Sequence, residues 1–104
     1  AGGVAIGYTA GFINQGSNAV AIGHACESVL AQQTNNVTIG ASASSGGFAN
    51  CITIGANANA SAAGQLVLAS AGNPLSTVGA AGAISTYLTV RINDVNYKLA
   101  LYAL

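Results

Sequence analysis

A short motif recurs along this chain in a fixed internal phase. Val4-Ala5-Ile6-Gly7, Val20-Ala21-Ile22-Gly23, Val37-Thr38-Ile39-Gly40 and Ile52-Thr53-Ile54-Gly55 are four copies, and Leu66-Val67-Leu68-Ala69 is a degenerate fifth. Successive copies start 16, 17, 15 and 14 residues apart. Asn18, Asn35 and Asn50 each precede the β-branched start by two residues. A period this short leaves few choices. One repeat cannot bury an apolar face by itself, so neighbours must stack and share a core. The V-x-I alternation has period two and reads as a strand, with Val and Ile on one face and Ala or Thr on the other. The glycine after it suits a corner with φ > 0 or close backbone approach. Ala41-Ser42-Ala43-Ser44 and Ala56-Asn57-Ala58-Asn59-Ala60 read as second, weaker strands, and Asn suits the polar turn before the next rung.

The expected fold is therefore all-β: a parallel β-solenoid of about five rungs over residues 1–72, rising roughly 20–25 Å at one strand spacing per rung. Its interior is expected to take Val and Ile on one side and Ala on the other. The longest step carries Ser28-Val29-Leu30-Ala31-Gln32-Gln33-Thr34, read as a protruding loop. Residues 73–104 differ. After Asn73-Pro74 and a Gly/Ala-rich connection, Tyr87-Leu88-Thr89-Val90-Arg91-Ile92 and Tyr97-Lys98-Leu99-Ala100-Leu101-Tyr102 alternate on either side of Asn93-Asp94. That is a hairpin signal, expected to cap the open end of the solenoid. Arg91 and Lys98 are expected to flank or face each other across it.

Composition sharpens the reading. Of 104 residues, 22 are Ala and 14 are Gly, and only 4% are charged: Glu27, Arg91, Asp94 and Lys98, with zero net charge. A nucleic-acid binder needs a basic patch, and none is present. Disorder calls for low hydrophobicity with high net charge. A membrane helix calls for about 18 consecutive apolar residues, and Gly, Ser, Asn or Thr interrupt every run. Charged heptads for a coiled coil are missing. A neutral surface favours association. The flat Ala-rich faces are expected to pack against identical faces, with a homotrimer as the natural parallel arrangement of a rod.

Catalysis is not expected. The single His24 and the scattered Glu27 and Asp94 do not make an acid–base pair or a Ser-His-acid set. Three residues apart on a strand, His24 and Glu27 point to opposite faces, both as surface or interface residues. One His with no neighbouring ligands does not hold a metal, and no cofactor motif is present. Cys26 and Cys51 fall at different repeat phases and read as two small buried thiols rather than a disulfide. Tyr8 and His24 share one phase and are expected to stack along an edge. With Phe12 and Phe48 they are the candidate receptor or interface contacts; filling of a wide corner or an inter-chain groove is the competing reading.

Asn18-Ala19-Val20-Ala21-Ile22-Gly23, followed by Ala25-Cys26, resembles the head repeat of the YadA-like trimeric autotransporter adhesins over about residues 3–70. The resemblance implies a left-handed parallel β-roll with three chains around an axis. Tyr87 to Tyr102 is similar to the closing hairpin of phage and giant-virus fibre proteins, with Asp94 where glycine is common. Together these imply a non-enzymatic module of a viral or phage fibre on the virion surface. Its partners would be itself as a homotrimer, other virion or fibre proteins and a host glycan or protein receptor, without nucleic acid or membrane insertion. The alternatives are a bacterial adhesin head on the cell surface, an ice-binding solenoid built on Thr38 and Thr53, and a purely structural capsid protein.

Overall fold

The computed structural model describes residues 2–13, 15–27, 34–76 and 82–103. It is all-β, with no helix among the described residues. Strands β1 (Val4–Ile6), β2 (Val20–Ile22), β3 (Val37–Ile39), β4 (Ile52–Ile54) and β5 (Leu66–Leu68) form one parallel sheet in sequence order. The register is strict: Val4, Val20, Val37, Ile52 and Leu66 form one row, and Ile6, Ile22, Ile39, Ile54 and Leu68 another. The chain thus winds a β-solenoid of about four turns. Strands β6 (Ile84–Ile92) and β7 (Val95–Tyr102) pair antiparallel as a separate hairpin.

The backbone reason for the register is repeated at every step. Val20 N–H donates to Asn36 O, Val37 N–H to Cys51 O and Ile52 N–H to Gln65 O. On the far side of each strand the direction reverses: Gly23 N–H donates to Ile6 O, Gly40 N–H to Ile22 O and Gly55 N–H to Ile39 O. The corners need left-handed backbone. Asn18, Asn35 and Asn50 have φ of 56°, 60° and 59°, the region Asn tolerates best after Gly. Asn35 Nδ2 also donates to Asn50 Oδ1 at 3.3 Å. The strand-ending glycines are needed for approach. A Cβ on Gly23 (φ 136°) would lie 2.6 Å from the carbonyl oxygen of Gly40 in the next rung.

The interior differs from the expectation. The middle residues of β2, β3 and β4 are buried, and the fully buried side chains are Ala19, Ala21, Cys26, Ala43, Cys51 and Ala58, with Glu27, Asn36, Thr38, Ser45 and Thr53. The Val and Ile rows point outward. A coil of 14 to 17 residues leaves a lumen too thin for branched aliphatic side chains, so small residues fill it. The Ala-rich runs are also not strands. Ser42 and Asn57 have φ of 55° and 57°, and only the isolated Ser44–Asn59 bridge remains of the expected second sheet. The expected Ser28–Thr34 loop falls, apart from Thr34, outside the described residues.

The hairpin closes with Asn93 and Asp94, at φ 50° and 64°. Both positive values identify a two-residue type I′ turn, whose twist matches that of the strands. Arg91 and Lys98 lie on the same face but pair with other residues, Asn96 and Thr89. The hairpin strands are exposed except for a half-buried Val90.

Candidate functional site

The solenoid has a polar centre, an aromatic edge and outward aliphatic rows. The polar centre is Glu27, expected at the surface and instead buried. Its corner has φ 52°, turning the side chain into the lumen. Thr38 Oγ1 donates to Glu27 Oε1 at 2.8 Å, Ser45 N–H donates to the same oxygen, and Ser44 Oγ donates to Oε2 at 3.4 Å. Thr53 Oγ1 donates to Thr38 Oγ1 at 3.2 Å, extending the chain of hydroxyls across three rungs. The carboxylate replaces lost water with protein donors, as a buried charge requires.

Beside it, the Cys26 thiol donates to Thr38 O at 3.3 Å. Burial, and then the neighbouring Glu27 carboxylate, pushes its pKa from 9.0 up to about 11. Such a thiol is protonated at neutral pH and is a poor nucleophile. Cys26 and Cys51 are both buried and free. The described residues contain no group of three His, Cys, Asp or Glu able to share a metal ion.

The aromatic edge is built by the register. Tyr8 and His24 each follow a corner glycine in adjacent rungs, and Ala25 N–H donates to Tyr8 O. Their rings stack with centroids 5.5 Å apart and planes 16° from parallel. Tyr8 is 75% exposed, and Phe12, on the following turn of the same rung, is 74% exposed. Phe48 is less open at 38%. It belongs to another corner, where its carbonyl accepts from Asn36 Nδ2 at 2.7 Å. The structure therefore joins Tyr8 to His24, and Phe48 stands apart from that pair.

The outward rows were not singled out from sequence. Ten aliphatic side chains, two per rung, line the outer face of the sheet: those of β1, β4 and β5 are exposed, with Ile6 58% and Leu66 66%, and Val20, Ile22, Val37 and Ile39 are half-buried. The signal was present in the middle residues: Ala5, Ala21, Thr38 and Thr53 are small enough for the lumen, and their neighbours are not. Glu27 is the only formally charged residue of the solenoid, so no exposed carboxylate, Lys or Arg interrupts the strip.

No protein-family model, curated protein or solved structure matches this chain.

Proposed function

We propose that the chain is a non-enzymatic structural and adhesive module of a homotrimeric viral or phage fibre, projecting from the particle and meeting the host surface. The observation that carries this reading is the strip of ten outward Val, Ile and Leu side chains on an in-register sheet, six exposed and four half-buried. A contiguous exposed aliphatic patch of this kind marks an interaction site. The strip, rather than the Ala-rich runs, forms the shared axis in this arrangement.

The Tyr8–His24 stack and Phe12 face outward on such a rod, with Phe48 at a second corner. A flat, exposed aromatic pair suits the apolar faces of sugar rings or a receptor side chain. Three copies on one rigid tip multiply a weak contact through effective concentration. The same architecture on a bacterial carrier, as a trimeric adhesin head, is the second reading, favoured by the repeat motif itself. An ice-binding surface is disfavoured: Thr38 and Thr53 point into the lumen, where both are buried.

Light scattering on the purified chain tests the proposal. The expected native mass is three times the 10.0 kDa of one chain. A folded monomer at all concentrations overturns it. Glycan-array binding lost in a Tyr8→Ala variant that keeps the trimeric mass is the expected second result.

A further inference from the structure

The hairpin β6–β7 sorts its residues cleanly by face. Cross-strand partners Leu88 and Leu99, Val90 and Tyr97, and Ile92 and Val95 lie on one face with Thr86 and Leu101. The other face carries Thr89 opposite Lys98 and Arg91 opposite Asn96. All three charges of the hairpin are accounted for away from the apolar face. Arg91 donates to Asn96 Oδ1 at 3.0 Å and lies 3.7 Å from Asp94 at the turn, and Lys98 Nζ sits 5.5 Å over the Tyr87 ring. The apolar face nevertheless has no cover: Leu88, Ile92, Val95, Tyr97 and Leu99 are each about half exposed. A two-stranded hairpin with a bare apolar face is marginal in water and needs a packing partner.

The solenoid of the same chain does not supply that partner. It approaches the hairpin at the turn, around an open groove of about 400 Å³ lined by Ile52, Gln65, Leu66, Arg91, Ile92 and Asn93. Ile52 and Leu66 of the outward strip and Ile92 of the hairpin's apolar face thus line one groove, together with Arg91, Gln65 and Asn93. Half exposure of some seven large side chains amounts to about 500 Å², near the size of the largest patch on an ordinary monomer. That is less than a stable interface requires alone, but it extends the strip.

We propose that the hairpin is a second self-association element: its Leu88/Val90/Tyr97/Leu99 face packs against the same face of other copies of this chain, prolonging the interface begun by the solenoid strip. The inference rests on the homotrimer reading and adds to it a clamp at the C-terminal end. A face made only of Val, Leu, Ile, Tyr and Thr, with every charge on the reverse, is self-complementary and needs no partner of opposite charge.

The test uses full-length variants. The sequence has no Trp, so Tyr97→Trp places one fluorophore on the face. Expected results are short-wavelength emission in the trimer and a red shift on dilution to monomer. Leu88→Asp with Leu99→Asp should raise the half-assembly concentration on the order of 100-fold. Thr89→Asp, on the reverse face, should change it by less than about threefold. If the chain is trimeric but the double variant assembles like the parent and the Trp emits as in water, the clamp is wrong and the trimer reading stands. A trimer with the Trp buried but with assembly unchanged in the double variant also overturns the clamp. A monomeric parent removes the reading on which the clamp rests.

Discussion

At the residue scale, Gly23 and Cys26 show how tightly each rung is held. Gly23 has both a left-handed φ and a neighbouring carbonyl where its Cβ would be. Gly23→Ala is expected to cost about 2–4 kcal/mol, read as a lowered denaturation midpoint, because steric overlap adds to backbone strain. Gly47→Ala, with φ 79° and nothing within 4 Å, is expected to lose only about 1 kcal/mol. Cys26 links the core to pH. Burial and Glu27 hold its thiol protonated up to about pH 11 in the folded chain, against the ordinary 9.0. An unfolded chain releases this proton first, so stability is full below pH 9 and falls as pH rises from 9 toward 11. Denaturation midpoints across that window check the sign, and Cys26→Ser should flatten the slope. Thiol reagents should leave the native Cys26 unmodified at pH 8 and modify it on unfolding.

At the scale of elements, the five rungs were legible because V-x-I-G repeats in phase, and strands occur at each of those triplets. Which face pointed inward was not legible from alternation alone. Period two separates two faces without saying which is the core, and lumen width decides that. The Ala-x-Ala runs failed as strands for a related reason. They carry no side-chain bulk to pack on a pleated surface, and Ser42 and Asn57 turn there instead. Tyr8 stacked on His24 was readable from shared phase. Glu27 was misplaced because its left-handed corner cannot be seen in a strand-like alternation. The hairpin was readable from its two alternating runs, and its turn leaves room for improvement. Asp94 sits at φ 64°, where Gly carries no steric penalty. Asp94→Gly should therefore stabilise the hairpin by about 0.5–1 kcal/mol, seen as a higher thermal midpoint. The exposed Arg91–Asp94 pair that is lost contributes little.

At the scale of the whole molecule, a core of alanine, cysteine and short polar residues buries little apolar area per residue. The outward strip is where further stabilisation is available. Ile39 lies in the middle rung of that strip. On the trimer reading, Ile39→Asp should give monomers and lower the thermal midpoint more than Ala41→Asp, at an exposed position of the Ala-rich runs. Light scattering and melting at two protein concentrations check this. The strict register has one more consequence. Each rung keeps the same three-residue strand while the connecting turns vary in length, so one inserted repeat adds a whole step of about 4.8 Å without disturbing the others. The solenoid works as a ruler graduated in rungs: duplicating or deleting one repeat in the gene changes its length by one step.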